Sequence, residues 1–489
     1  MAAIILDLFK VRSLNDFIAS LSTNSLYLGI GRPYFWDLIG NIDTTIPIPT
    51  NTIKGQTADW ADMMQMKKLA PTDVSNGIYK EQWQPNVKYD AYRHDWDGTR
   101  TIVYNGANAS VSQPTSIGDV KCFVLTSAYN VYACIKQSVV LGEVQPSIYS
   151  PDTGVAVGTN TTMVKTADGY YWKFIAGASA SDIIKFSSTY YHPIKTLTVA
   201  PSNSDPYYNQ WLAQGYSANF AGGIYCINIL TAGTGYNSGL AGTRNVTNAE
   251  TDVQLAVIGD GTGLQYTVIY GAGGTITDIQ ITNPGNGYTY ATIVAAGGTA
   301  ASFDIVFTLP SGFGADPISD TIARYLIVST ILTGNENGKF TTSNDYRKIS
   351  LIYNPTNYGT STVATSATLD ACISLNVQTG LSQGAYPIDA IVTGPTSAAI
   401  GRVVDFNPTT GAIRIIRTGN ENFGSVGANN SFLVGETVNT VPGTGTGIIA
   451  SLGTPDVQPQ SGNIIYTEYR SPILRGPSQT ENIDIVVKF

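Results

Sequence analysis

The chain has 489 residues, enough for two to four domains each with its own core. Charged residues make up 13% of it, about half the ~25% usual in globular domains, and the net charge is −8. That balance, without a dense basic patch, argues against nucleic-acid binding and bears on solubility rather than on a partner. Fifty Gly, 23 Pro and 29 Tyr give a turn-rich and strand-rich composition, so the expected fold class is mainly β with few short helices. Cys122, Cys134, Cys226 and Cys372 lie far apart without a C-x-x-C, which implies no zinc or thioredoxin-type site. They read as isolated buried thiols, although Cys122 and Cys134 face each other if their segment is a hairpin. No apolar run reaches the ~18 residues of a membrane span, and residues 1–20 carry Asp7 and Lys10, unlike a signal peptide. The expectation is a chain made in a cytoplasm and not inserted in a membrane.

In chain order, residues 6–21 predict a helix, because Leu6, Phe9, Leu14, Phe17, Ile18 and Leu21 recur at spacings near three and four. Residues 27–36 (YLGIGRPYFW) predict a strand entering a Gly-Arg-Pro turn. Gly29 and Gly31 hint at a phosphate loop, but Pro33 stands where its helix must begin. After a loop marked by Pro47 and Pro49, residues 59–69 (DWADMMQMKKL) predict a short amphipathic helix. Its Trp60, Met63, Met64 and Leu69 share a core-facing side. Within 87–98 (VKYDAYRHDWDG), His94, Asp95 and Asp97 are residue types for a metal site or an acid–base set. No second His lies nearby, and neither role is expected of them.

Residues 121–136 predict a hairpin with strands 122–125 and 131–135. Residues 168–175 (DGYYWKFI) predict a strand whose Tyr170 and Trp172 share a core face. Two Gly-rich blocks follow. In the first, Ile227-Asn-Ile-Leu with Gly235-Tyr236 returns as Ile279-Gln-Ile-Thr with Gly287-Tyr288, an offset of 52 (287 minus 235). Short strands such as 253–258, 266–269 and 301–308 separate its Gly turns. In the second, Ile391-Val-Thr-Gly with Gly401-Arg-Val-Val is echoed by Phe432-Leu-Val-Gly-Glu with Gly447-Ile-Ile, and 403–417 predicts a hairpin turned at 407–411. Both blocks read as small β-domains inserted into loops of a core, because loop insertions cost little closure entropy. GDGTG at 259–263 and GNENG at 334–338 hold too few carboxylates for a Ca²⁺ cage. At the C-terminus, strands at 464–466 and 483–487 flank a segment expected to turn or run extended, since Arg470, Pro472 and Pro477 do not suit a central strand. Ile483, Ile485 and Val487 share a face, and the expectation is a hairpin that closes a β-domain with the terminus held in a sheet.

At the C-terminus, Ile465, Tyr466, Glu468, Arg470, Pro472 and Ile473, then Gln479, Thr480, Glu481, Ile483, Ile485 and the final Phe489 form a pattern that resembles the C-terminus of the baseplate wedge subunits of contractile-tailed, T-even-like bacteriophages. The same family has a strand leading into Gly-Arg (Gly31, Arg32) and an acidic-Trp-acidic-Gly stretch (Asp95, Trp96, Asp97, Gly98). It also has an acidic-Gly-Tyr-x-Trp motif (Asp168, Gly169, Tyr170, Trp172). A further strand matches through Tyr346, Arg347, Ile349, Ser350, Asn354 and Pro355. The matches are collinear and cover roughly 1–215, 316–356 and 460–489, leaving both Gly-rich blocks uncovered.

The resemblance implies a discontinuous β-rich core: 1–215 as its first part, 316–356 as a strand segment and 460–489 as C-terminal strands. Residues 219–315 and 360–456 are the two inserted small β-domains. It implies a structural subunit of the virion tail baseplate, made in the host cytoplasm, that links neighbouring wedge subunits during assembly. Its partners are other baseplate wedge proteins and a second copy of itself, as a homodimer within the wedge. It implies no enzyme, no cofactor, and no catalytic, cofactor-binding or metal residues. The alternative is a tail-associated glycan-binding or glycan-hydrolysing protein. Hydrolysis needs two carboxyls about 5–9.5 Å apart, for which Asp95 with Asp97 is the pair to consider. A third reading is an adhesin whose inserts bind a receptor.

Overall fold

Short alternating apolar runs separated by glycine turns build antiparallel sheets, and the protein is mainly β, with five short α-helices among the described residues. The computed structural model describes residues 5–33, 46–97, 99, 102–105, 113–114, 116–140, 142–153, 163–336, 338–342, 344–378, 384–417 and 431–489. Tyr34, Phe35 and Trp36 of the predicted Gly-Arg-Pro turn, Gly98, and Asn337 of the GNENG motif lie outside them. The chain divides into two compact units. One comprises Met1–Asn15, Ser75–Ile327 and Lys488–Phe489; the other comprises Asp16–Val74 and Val328–Val487.

The predicted N-terminal helix runs Asp7–Ser20, with Val11 and Leu14 buried and Leu6 and Phe9 exposed. Its first-turn Asp7 accepts hydrogen bonds from Arg324 (2.7 Å) and Lys10 (3.2 Å), a favourable place for a negative charge. Together with the Ser116 hydroxyl they hold its carboxyl below the usual range, against burial, which acts to raise it.

In the first unit the predicted hairpin is present as Phe123–Leu125 and Val131–Lys136, inside a four-stranded sheet completed by Tyr171–Ala176 and Met163–Lys165. Both faces of this sheet are covered, so its strands lack the usual polar face. Val131, Ala133, Ile135, Tyr171 and Ile175 enter one core, whereas Tyr132, Cys134, Tyr170, Trp172 and Phe174 enter the other. Tyr170 and Trp172 share a face as expected and stack at 5.6 Å. Cys122 and Cys134 are both free thiols, and they pack into different cores.

The first Gly-rich block folds around one apolar cluster that contains both repeated tyrosines, Tyr236 and Tyr288. The two copies of the repeat reach across to each other. Gly235 N donates to Gly273 O (2.9 Å), and 52 residues on, Gly287 N donates to Ala221 O (2.8 Å). The arrangement is reciprocal, as in a pseudo-twofold. Gly274 lies against the Tyr236 backbone and Gly222 against that of Tyr288, both with positive φ. A Cβ on Gly274 would collide with Tyr236 O, at φ +66°. Gly274→Ala is therefore expected to cost about 2–3 kcal/mol, against about 1 kcal/mol for Gly273→Ala, whose Cβ meets nothing. Thermal unfolding of the two variants decides it; equal losses refute the close approach as the cause.

In the second unit a five-stranded antiparallel sheet runs in the order Thr368–Asp370, Met63–Leu69, Leu26–Gly31, Asn344–Tyr353, Asn463–Arg475. Leu26–Gly31 is buried along its whole length, and a Cβ on Gly29 would collide with Met63. Its glycines serve close sheet packing, and no phosphate loop forms there. The helix predicted over 59–69 is a helix and a strand. Ile53–Ala61 is helical, capped by Thr52, whose hydroxyl accepts from Gly55 N (3.0 Å), and Met63–Leu69 is extended. Met63, Met64, Met66 and Leu69 are all buried, which no helical stripe allows, and pairing on both sides overrides the local helix propensity of Met and Lys.

The C-terminal segment also differs from expectation. Asn463–Arg475 is one continuous strand that carries Arg470 and Pro472. Residues 470–472 stand opposite Arg347 alone, a bulge on the outermost strand, where a proline needs no ladder partner. Thr480–Lys488 does not pair with it as a hairpin but borders Tyr325–Thr333. Ile483 and Ile485 are buried as expected, Val487 is half-buried, and Phe489 N donates to Arg324 O (2.9 Å).

The second Gly-rich block contains a closed six-stranded antiparallel barrel made from Ile373–Val377, Ile391–Gly394, Ala399–Asn407, Ala412–Arg417, Thr437–Val441 and Thr446–Gly453. The two echoing segments are adjacent hairpins joined through Ile391–Gly394 and Thr437–Val441. The Glu436 carboxylate links them, accepting from Ser397 N (3.0 Å) and Oγ (2.8 Å). A buried ion network runs from the sheet to the barrel. Arg32 engages Asp345 and Asp389, and Arg402 donates to Asp389 (2.6 Å) and to the Arg32 carbonyl. Lys348 sits between Asp59 (3.0 Å) and Asp62 (2.8 Å), and Tyr469 donates to Asp59 (2.8 Å).

Candidate assembly surface

The chemically suggestive residues of 87–97 are used as stitches in the first unit. The segment runs beside the four-stranded sheet, with Tyr92 N donating to Cys134 O (2.7 Å) and Tyr89 and Tyr92 buried. That leaves Arg93 to spread its fork over two carboxylates, Asp95 (2.8 and 2.9 Å) and Asp304 (2.6 and 3.1 Å). His94 Nδ1 accepts from Phe307 N (3.3 Å), and Asp97 accepts from Thr99 N (2.9 Å) and Oγ1 (2.5 Å). Each thus has its own structural partner. Among the described residues no group of three His, Cys, Asp or Glu is placed to hold a metal ion.

Asp90, in the same segment, is buried and accepts from Val103 N (2.6 Å) and Tyr104 N (3.3 Å). Burial outweighs these bonds and raises its carboxyl to about 6. A carboxyl raised above its unfolded value near 3.8 supports the fold below pH 3.8 and loses that support as pH rises through 6. Asp90→Asn keeps an acceptor without the charge. Relative to this variant the wild type is expected to lose about 2–3 kcal/mol between pH 3.8 and 6.5. A difference in melting temperature that stays flat over that range refutes the assignment.

Asp278 is a second node, missed by sequence reading because Lys136, Lys165 and Tyr171 lie more than 100 residues away. It accepts from Lys136 (2.7 Å), Lys165 (2.9 Å), the Tyr171 hydroxyl (2.8 Å) and Gln280 (3.1 Å). Burial acts to raise its carboxyl, but the two ammonium groups prevail and hold it well below the usual range.

One partly exposed cluster among the described residues is aromatic. Val74–Tyr79 and Tyr191–Ile194 pair antiparallel, placing Tyr79 opposite Tyr191, with ring centroids 6.1 Å apart. Tyr325 packs 4.9 Å from Tyr191, and Tyr190 beside them is exposed. Lys121 lies over the Tyr79 ring at 4.5 Å, and Lys80 reaches the Tyr129 ring at 5.9 Å. Burial raises the Tyr79 and Tyr191 phenols; the Glu81 carboxylate adds to it at Tyr79, and neighbouring tyrosines add to it at both. None of the four hydroxyls (79, 190, 191, 325) has an acceptor among the described residues. The result is a half-exposed phenol platform with ammonium groups at its margin, rich in donors and poor in acceptors. Tyrosine combines contact area with a polar tip and is enriched at protein interfaces. The only sequence signal was the run Tyr190-Tyr191, which does not reveal Tyr79 and Tyr325 beside it.

The fold and this surface define a β-rich protein in which Arg93 with Asp304, Lys136 with Asp278 and Arg402 with Asp389 tie segments together within each unit. No helix among the described residues is long and apolar enough to cross a membrane. No protein-family model matches the chain. Over 185 residues it is 23% identical to the Baseplate wedge protein gp8 of Enterobacteria phage T4, a match covering 35% of this chain. The match spans 54% of that protein, so the chain covers about half the length of the relative.

Proposed function

We propose that this chain is a structural subunit of a phage tail baseplate wedge. In this reading it is made in the host cytoplasm, enters the virion at the baseplate, and links neighbouring wedge proteins, itself paired as a homodimer. It acts by contact and not by catalysis. The observation that carries the reading is the similarity to gp8. Support comes from where the family-matching residues sit: Arg32 and Tyr346–Ser350 belong to the sheet strands and ion network of the second unit, and Tyr170 and Trp172 to a core of the first. The reading includes a discontinuous core with two inserted blocks, consistent with a closed barrel and a self-contained repeat cluster. It assigns the tyrosine platform to a neighbouring wedge protein that supplies carboxylate or carbonyl acceptors.

Immunogold labelling of intact virions with antibody to this chain tests the location, and label on tail fibres or none at all would sink the proposal. Tyr191→Ala with Tyr325→Ala is expected to leave melting nearly unchanged and to reduce incorporation into tails at least tenfold. Unchanged incorporation removes the platform from the reading.

A further inference from the structure

The five-stranded sheet of the second unit ends on Asn463–Arg475, and that strand has an open side. Apart from its ladder with Asn344–Tyr353, no backbone hydrogen bond to residues 463–467 is made by any described residue. An open edge is a template for another chain, and proteins usually blunt it with charge, bulges or proline. Here charge and proline begin only at residue 468, and within 463–467 the ladder is interrupted once, at Ile465, which has no residue opposite it. Glu468 pairs with Arg470 (2.6 Å), and residues 470–472, Pro472 among them, form a bulge. Residues 463–467 (NIIYT) carry no charge and no proline.

Beside this open stretch lies a groove of about 210 Å³, walled by Ile53, Gln56, Thr57 and Trp60 of the Ile53–Ala61 helix and by Gln460, Gly462, Asn463 and Ile464. No lining side chain is charged. The carboxamides of Gln56, Gln460 and Asn463 bond to no described residue, and Ile53 is 86% exposed at the rim. A cavity of about 150 Å³ accommodates benzene, so the groove has room for one aromatic or branched side chain.

We infer that residues 463–467 and this groove form a strand-addition site for an extended, uncharged segment of another protein. Edge pairing supplies the main-chain hydrogen bonds, and the groove selects one large apolar side chain, with carboxamides to meet flanking peptide groups. The occupant is an extended polypeptide because only a backbone presents donors and acceptors at the spacing of a strand edge. It is uncharged because nothing in the groove neutralises a charge. The inference does not depend on the baseplate reading.

The test uses the full chain and a library of random twelve-residue peptides displayed on filamentous phage. Enriched sequences are expected to be uncharged, with a large apolar residue amid alternating β-formers. Adding one such peptide in synthetic form should slow amide hydrogen exchange at 463–467 at least tenfold. Gln56→Arg, at an exposed helix position, should weaken its binding at least tenfold while melting stays unchanged; Thr57→Arg is the second variant should the first alter melting. Failure to enrich any sequence, protection outside 463–467, or indifference to both variants overturns the site. Protection of 463–467 that rises with the concentration of the chain alone makes the occupant a second copy and overturns the choice of partner.

Discussion

Removal of residues 483–489 is expected to leave the chain insoluble and without a cooperative melting transition. Ile483 and Ile485 are each 2% exposed, and burying an aliphatic side chain contributes about 1.5–3 kcal/mol, so the two alone supply roughly 3–6 kcal/mol. A domain's whole stability is about 5–15 kcal/mol. The truncation also strips the main-chain partner of Tyr325–Thr333 and the bond from Phe489 N to Arg324 O. Soluble yield and thermal melting beside the full chain measure the effect, and Ile485→Ala is expected to fall between them. A truncated chain that melts like the intact one shows the strand to be peripheral.

The second large effect is expected at Arg402, 1% exposed and holding Asp389 and the Arg32 carbonyl together. Removing one member of a buried ion pair leaves its partner desolvated and unmatched, at about 3–5 kcal/mol. Arg402→Ala is expected to lower the urea midpoint of the earliest transition accordingly. Burial acts to raise the Asp389 carboxyl, but Arg32 and Arg402 hold it below the usual range near 3.8. Its contribution is therefore present above pH 3.8 and lost as pH falls through its lower folded value, so the gap between wild type and variant narrows in acid. Arg470→Ala is the contrast. Its pair with Glu468 is about a third exposed on both sides (32% and 31%), and such pairs contribute about 0–1 kcal/mol. Equal losses for the two arginines refute the network as the source.

Local patterns were legible where the answer was local. The 121–136 hairpin, the shared face of Tyr170 and Trp172 and the 52-residue repeat each depend on neighbours a few residues apart or on visible self-similarity. Met63–Leu69 was not legible, because a run of Met and Lys has helical propensity and only pairing with strands on both sides makes it extended. Arg470 and Pro472 argued against a strand, and the bulge that admits them is a property of the outermost position. The ion network was out of reach for a plainer reason: Arg32 meets Asp389 across 357 positions of sequence. The tyrosine platform failed similarly, since four Tyr among 29 stand out only once strands bring them side by side.

The closed barrel brings its own entrance and exit together. Its first strand, Ile373–Val377, pairs with its last, Thr446–Gly453, and just outside them Asp456 N donates to Asp370 O at 2.7 Å. The host sheet therefore sees some 85 residues as a bridge one hydrogen bond wide. A segment held that way behaves as a cassette, open to shortening, lengthening or exchange without a change in the spacing of its flanks. What restrains such exchange is Arg32: any replacement must bring a carboxylate where Asp389 stands, or leave the guanidinium with Asp345 alone at the seam.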